Sequence, residues 1–413
     1  MDKPSKETKR DPWKEKARQE ILTHLQDRAW VKHFLEKHVW LTHRAAYPSV
    51  AGSAFSDISD KIKERQFDSG VKYVFVDERH LTKEFMERVG RINSHISSEN
   101  HSKTLEVLLA LALIIIQKEM ESFEEFDIYM QKQVDGGKPD FIIDMPCKVK
   151  IFIDAKNRLS NFSDSNVEEM RKYSGANTAL MVVHPFFSRS AQSKLQQKGD
   201  FYCNVGRIYT GHYGGIEDDF SKEGLENGTV VIKWDTIRLY QKLRENIRSK
   251  RSKLYDLAEK VFKEEALNYF LKKIRGIVRF AILKHHFKFH ERLLAEQMEL
   301  GMKCAPNKQD VELLRMIPLV YFEFLFRPKQ EMTISSIAQK LTKYEELKYY
   351  NKLDSERRKE MVRKALRFLQ GRSFLKLRSK DKWYADDIES PYPTERDILD
   401  GIKVIDLHSL EFQ

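Results

Sequence analysis

Apolar and polar positions alternate most regularly in the middle of the chain, over residues 97–240. Residues 102–118 suit a buried helix, and short apolar runs of strand length follow, separated by polar and glycine-bearing segments. The predicted order is helix, three strands, helix, strand, helix, strand. This order favours an α/β fold in which helices cover a mixed β-sheet. The strands in this order lie within residues 126–134, 140–144, 151–156, 178–183 and 201–209, and a further strand within residues 229–234 completes the unit.

Two of these strands place charged side chains where a sheet would bury them. Asp140 directly precedes one apolar run, and Asp154 and Lys156 end the next. Such groups are costly to bury unless a metal ion or an opposite charge compensates them. Side chains alternate along a strand, so Asp154 and Lys156 face the same side. If residues 146–148 form a three-residue hairpin loop, Asp140 lies opposite Asp154 with their Cβ atoms about 5 Å apart. A loop one residue shorter or longer breaks this pairing.

This arrangement predicts a metal-dependent site that cleaves phosphodiester bonds. Two carboxylates that close repel each other unless a cation lies between them. Mg²⁺ suits such a site, with Mn²⁺ as a substitute, because one or two carboxylates, water and phosphate oxygens commonly hold it. The metal would lower the pKa of a bound water, and Lys156 would position that water or stabilise the transition state. Glu106, on the preceding helix, is a candidate third carboxylate. A structural ion pair between Asp154 and Lys156 is the alternative.

The distribution of charge indicates a second candidate site. The 413 residues carry a net charge of +11, which favours a polyanionic partner. Residues 348–382 hold 13 Lys or Arg against 4 Asp or Glu, so most of the excess lies there. The surrounding residues, 328–390, have a pattern of helix, turn, helix and hairpin that resembles a winged helix. Basic side chains opposite the apolar stripe of its second helix would face DNA, although a protein-binding winged helix is the alternative. The candidate DNA contacts are Arg357, Arg358, Lys364, Arg367, Arg378, Lys380 and Lys382.

Composition bounds the class of protein and its compartment. Hydrophobic residues make up 41% and charged residues 33% of the chain, as expected of a soluble globular protein. The scattered cysteines Cys147, Cys203 and Cys304 favour a reducing compartment. Residues 1–11 lack the apolar segment of a signal peptide, and the longest apolar run, residues 108–116, is shorter than the ~20 residues that span a bilayer. We therefore expect a cytoplasmic protein.

Residues 97–240 resemble the PD-(D/E)xK nuclease superfamily, whose fold is that of restriction endonucleases. The resemblance rests on Asp140 after a proline and on the triplet from Asp154 to Lys156 at the end of an apolar strand. It implies that Asp140 and Asp154 bind Mg²⁺ and that Lys156 assists hydrolysis. Glu106 matches the glutamate of the family's first core helix. Some members carry Gln-x-x-x-Tyr on the helix after the lysine strand, and here Glu169 and Tyr173 occupy that spacing without the glutamine.

Together these features predict a Mg²⁺-dependent DNA endonuclease of the type II restriction class, with separate cleavage and recognition units. Alternatives are a winged-helix regulator with an inactive nuclease-like unit, a transposon or repair nuclease, and an RNA nuclease. Double-strand cleavage would require a homodimer or transient pairing on DNA. Zinc binding by His286, His290 and Glu291 is a weaker hypothesis, since no second ligand pair accompanies them. The predicted units are a mostly helical recognition or dimerisation region, 1–95, a nuclease core, 96–240, a helical region, 241–327, a winged-helix-like unit, 328–390, and a tail, 391–413.

Overall fold

A computed structural model provides the structure of the chain. Of the residues singled out above, Tyr173, Cys304 and Lys380 lie outside the part that the structure describes. The described residues are 12–32, 35–36, 39, 49–67, 71–96, 99–157, 162–171, 178–185, 187–205, 207–210, 229–249, 252–299, 307–379, 381–392 and 402–407.

Within the described residues helices predominate, and short strands form four small sheets. In the described ranges, no helix is both long enough and apolar enough to cross a membrane. The helices are α1 Pro12–Asp27, α2 Ser49–Asp57, α3 Lys83–Ile96, α4 Glu99–Met120, α5 Asp164–Met170, α6 Arg189–Gln197, α7 Thr236–Asn246, α8 Ser252–Val261, α9 Glu265–Glu299, α10 Lys308–Leu325, α11 Ile334–Leu341 and α12 Ser355–Gly371. The strands are β1 Trp30–Val31, β2 Lys63–Gln66, β3 Lys72–Phe75, β4 Asp127–Met130, β5 Phe141–Asp144, β6 Lys150–Ala155, β7 Thr178–His184, β8 Phe201–Asn204, β9 Arg207–Thr210, β10 Thr229–Lys233, β11 Met332–Thr333, β12 Lys376–Ser379, β13 Lys382–Tyr384 and β14 Ile402–Asp406.

The middle of the chain folds around a five-stranded mixed sheet with the order β4-β5-β6-β7-β8. The first three strands are antiparallel, whereas β6, β7 and β8 run parallel to one another. Helices α5 and α6 provide the crossover connections that parallel strands require. The prediction of an α/β fold with a mixed sheet is therefore confirmed.

Helix α4 is the buried centre of this unit. Its apolar side chains from Leu105 to Ile116 are buried on every side, so the helix must be covered all round. It packs on β6 of the sheet, and α7, α8 and α9 cover its other faces. These contacts fix the position of α4, and its first turns lie beside the β5–β6 hairpin.

One strand prediction requires correction. Residues 201–209 were expected to form one strand, but β8 belongs to the central sheet and β9 belongs to another. In that second sheet β9 and β14 both pair in parallel with β10. Residues 402–406, within the predicted tail, thus form a strand that pairs with the middle of the chain.

The N-terminal region contains a sheet as well as helices. Strands β1, β3 and β2 form an antiparallel sheet in that order. Helix α2 begins at Ser49 and contains Gly52, a residue of low helix propensity. Ala54 and Phe55 are buried with Ile21 of α1, and this tertiary packing outweighs the low helix propensity of Gly52.

The C-terminal unit consists of α10, β11, α11, α12, β12 and β13 in chain order, with the sheet order β11-β13-β12. Asp354 caps α12, because its side chain accepts a hydrogen bond from the Arg357 amide. Arg275 of α9 fixes this unit to the core. Its guanidinium donates to Glu119 of α4 at 2.8 and 3.0 Å and to the Asp387 carbonyl at 2.7 Å.

Candidate active site

The hairpin of β5 and β6 has the register that the sequence predicts. Phe141 pairs with Ile153, and the Met145 amide donates to the Val149 carbonyl at 3.0 Å. Lys148 closes the three-residue loop with a φ of 60°. The same register, extended by one residue, sets Asp140 opposite Asp154 at the end of the hairpin.

Asp140 is a buried carboxyl group that several neighbours surround. Its Oδ2 accepts a hydrogen bond from the Ala155 amide at 2.8 Å, and its Oδ1 accepts one from Gln131 Nε2 at 2.6 Å. Burial, together with the negative charges of Asp154 and Glu106, raises the pKa of Asp140 to about 7, against the lowering effect of Lys156. Without an added cation, Asp140 is therefore half protonated near neutral pH.

Lys156 places its ammonium group between the two aspartates. Its Nζ lies 2.7 Å from Asp154 Oδ1 and 3.8 Å from Asp140 Oδ2. The Lys156 amide donates to the Val183 carbonyl of β7 at 3.0 Å, which fixes the backbone just beyond β6. The structure therefore brings together the three residues that the sequence predicted for catalysis.

Glu106 is connected to Asp140 through Gln131. The Gln131 side-chain amide donates to Glu106 Oε2 at 3.1 Å as well as to Asp140. Lys103 pairs with the other carboxylate oxygen of Glu106 at 2.8 Å. Burial raises the pKa of Glu106, and the charge and hydrogen bond of Lys103 oppose this increase.

Gln131 and Lys103 were not predicted from the sequence. Gln131 has a φ of 54°, in the left-handed region. Its backbone amide donates a hydrogen bond to the Asp140 backbone carbonyl at 2.8 Å. This unusual conformation turns its side chain toward two carboxylates that are 9 and 25 residues away in the chain. For Lys103 a signal was available, because its spacing of three from Glu106 places the two side chains on one helix face.

The oxygen donors at this site suit a hard cation. Asp140 and Asp154 supply carboxylate oxygens, the ligands that Mg²⁺ prefers, and the ammonium of Lys156 already provides positive charge between them. Over the described ranges, no three acidic, histidine or cysteine side chains form a metal-binding group. A pair of carboxylates completed by water and phosphate is nevertheless a common Mg²⁺ site. The residues present therefore fit this metal.

Two other predicted groups lie elsewhere. Glu169 is exposed on α5 and does not join the cluster of Asp140, Asp154 and Lys156. His286 pairs with Glu124, and Glu291 pairs with Arg315. These partners explain the histidine-rich face of α9 as structural.

The predicted DNA-contact residues divide into three groups. In the first group, Lys364 and Arg367 are exposed on α12 and form no ion pair within the described residues. Arg357 is also exposed, and within the described residues it pairs only with Asp354, the cap of its own helix. Arg358 differs, because it donates to the carbonyls of Tyr350 and Asn351 and closes the preceding turn. The third group is the pair on the β12–β13 hairpin, Arg378 and Lys382, which share Glu331.

No protein-family model matches the chain, and no curated protein matches it. A crystal structure of a repair endonuclease from Pyrococcus abyssi is similar to part of it, with 15% sequence identity and a TM-score of 0.17. The similarity covers 32% of this chain and spans half the length of the endonuclease chain. A TM-score this low does not establish a common fold, so the function is inferred from the site itself.

Proposed function

We propose that the chain is a Mg²⁺-dependent DNA endonuclease, with Asp140, Asp154 and Lys156 at its active site. The observation that supports this most strongly is the position of Lys156 Nζ between two buried carboxylates at one end of the β5–β6 hairpin. Clusters of buried titratable groups with a perturbed pKa are characteristic of functional sites.

Each residue has a role in this proposal. Asp140 and Asp154 would hold the cation, and Glu106 would support Asp140 through the Gln131 amide. When bound, Mg²⁺ supplies a water of lowered pKa and positive charge at the scissile phosphate. Lys156 would orient the attacking water or stabilise negative charge that develops on the phosphate.

The C-terminal unit supports DNA as the substrate. We propose that it is a winged helix, with α12 as its recognition helix and the β12–β13 hairpin as its wing. The arrangement of α10, β11, α11, α12, β12 and β13 supports this interpretation, as does the exposed basic face of α12. Arg358 is left out of the proposed contacts because its guanidinium already binds two backbone carbonyls. Separate recognition and cleavage units favour a restriction-type enzyme that pairs on DNA to cut both strands.

The proposal is tested by incubating the purified full-length chain with supercoiled plasmid and Mg²⁺, Mn²⁺ or EDTA. We expect nicked or linear DNA with either metal and intact DNA with EDTA. A parallel RNA substrate distinguishes the two classes of nuclease. Binding of many DNA sequences without cleavage would instead support the winged-helix regulator.

The DNA-contact surface is tested with Lys364→Ala/Arg367→Ala. Each removed phosphate contact should reduce the magnitude of the slope of log affinity against log salt by about 0.9. The slope of the double variant should therefore be smaller by about 1.8. Lys359→Ala/Arg363→Ala is a matched control, because those side chains on α12 pair with Glu356 and Glu360. Equal losses in both variants, measured by fluorescence anisotropy over a salt series, would contradict the assignment.

A further inference from the structure

A cavity of about 460 Å³ lies at the edge strand β8, between the central sheet and helices α9 and α10. Cavities of this size are typical of small-molecule sites. Strand β8 is separated from β6 by β7, and no residue of the candidate active site lines the cavity. The cavity is therefore a separate feature from the site at the β5–β6 hairpin.

Aromatic rings form much of its wall. Phe280 and Phe322 stack with their centroids 4.8 Å apart, and Tyr202 meets Tyr392 edge-on at 5.0 Å. Phe201 lines the same space. Flat aromatic faces of this kind favour a ligand that carries a planar ring.

The basic lining residues include two that are not neutralised by a salt bridge. Lys284 and Lys288 project from α9 into the lining, and among the described residues neither forms an ion pair. Arg315 differs from them, since it is neutralised by Glu291. Of the acidic lining residues, Asp200 is already bound to Arg171 and Glu291 to Arg315, while Glu346 acts electrostatically on Lys284.

Lys284 is the more deeply placed of the two lysines. Burial lowers its pKa, and the positive charge of Lys288 lowers it further, while Glu346 and Asp200 act in the opposite direction. Its Nζ lies 3.7 Å from the position that a Cβ on Gly199 would occupy, and 5.3 Å from the centre of the Phe201 ring. A partly buried ammonium group without a bound anion is costly, so an anionic ligand would offset that cost.

We propose that this cavity binds a nucleotide, with its base among the aromatic rings and its phosphate on Lys284 and Lys288. The doubly charged phosphate matches two adjacent lysines that form no ion pair with any described residue, and the planar base matches the walls. The nucleotide is either free or the 5′-phosphorylated end of a DNA strand. This binding does not require that the chain cleaves DNA.

Isothermal titration calorimetry of the full-length chain tests the proposal, with the four deoxynucleoside 5′-monophosphates and a 5′-phosphorylated oligonucleotide as ligands. We expect at least one of them to bind with one site per chain. Inorganic phosphate and the unphosphorylated nucleosides should bind at least about tenfold more weakly, because each lacks half of the contacts. Tighter binding of the oligonucleotide would identify the ligand as the 5′-phosphorylated end of a DNA strand, and tighter binding of the monophosphate would identify it as a free nucleotide.

Lys284→Met/Lys288→Met should weaken this binding at least about tenfold, and Lys284→Arg should retain it. Lys359→Met is the matched control and should bind as the unmodified chain does, because Lys359 pairs with Glu356 on α12 and does not line the cavity. Because Lys288 is exposed, Lys288→Met alone tests the site without disturbing the interior. The proposal would be overturned if none of these ligands bound, or if the lysine variants bound as tightly as the unmodified chain.

Discussion

The two ends of the β5–β6 hairpin contain the same residue types in different surroundings. At one end Asp144 pairs with Lys150, with 3.8 Å between Oδ2 and Nζ and side chains that are 28% and 43% exposed. At the other end, the side chains of Asp140 and Asp154 are only 10% and 9% exposed, and both lie near one lysine. An exposed pair contributes little to stability, whereas a buried cluster with excess negative charge is costly. The comparison therefore supports the second end as the site of the proposed activity.

Substitution of each lysine by methionine should produce a large difference between the ends. We expect Lys156→Met to reduce the rate of Mg²⁺-dependent plasmid cleavage by about 10²–10³-fold, because it removes the charge beside the reacting phosphate. Lys150→Met should cleave at close to the rate of the unmodified chain, since its pair is half-exposed. Single-turnover rates with saturating protein measure both. Equal losses would show that the two ends do not differ in function.

The pH dependence of stability should show a smaller difference. The pKa of Asp140 is about 7 in the folded chain, above its ordinary value of 3.8. Asp140 therefore contributes stability below pH 4 that is lost as the pH rises through 7. In EDTA, Asp140→Asn should lose less stability than the unmodified chain between pH 5.5 and pH 8.

Between pH 5.5 and pH 8, the melting temperature of Asp140→Asn should fall by less than that of the unmodified chain. The difference between the two decreases should be on the order of 2 °C. Thermal unfolding at the two pH values measures it, with Asp144→Asn as the control at the half-exposed end. A variant Asp140→Asn that loses as much stability as the unmodified chain would contradict the raised pKa.

The site was predictable where the interactions are local. The hairpin register follows from an alternation of side chains and a loop of three residues, and both are visible within residues 140–156. The Asp140–Asp154 pairing is a direct consequence of that register. The α/β class was likewise predictable, because the lengths of the apolar runs distinguish strands from helices.

Features that depend on distant contacts could not be predicted in this way. Gln131 reaches Glu106 only because its backbone is left-handed and because α4 packs beside the hairpin. The pairing of β14 with β10 joins segments about 170 residues apart, and strand pairs at such separations leave no local pattern. Helix α2 forms against α1 despite its glycine, which shows tertiary packing overriding local propensity.

The most direct test compares Asp154→Asn with Asp144→Asn in the plasmid assay with Mg²⁺. Both changes remove one negative charge from the same hairpin with little change in volume, so differences in folding are minimised. We expect Asp154→Asn to cleave at least about 10³-fold more slowly while binding DNA normally, and Asp144→Asn to cleave like the unmodified chain. Cleavage by Asp154→Asn at the unmodified rate would contradict the assignment of the active site.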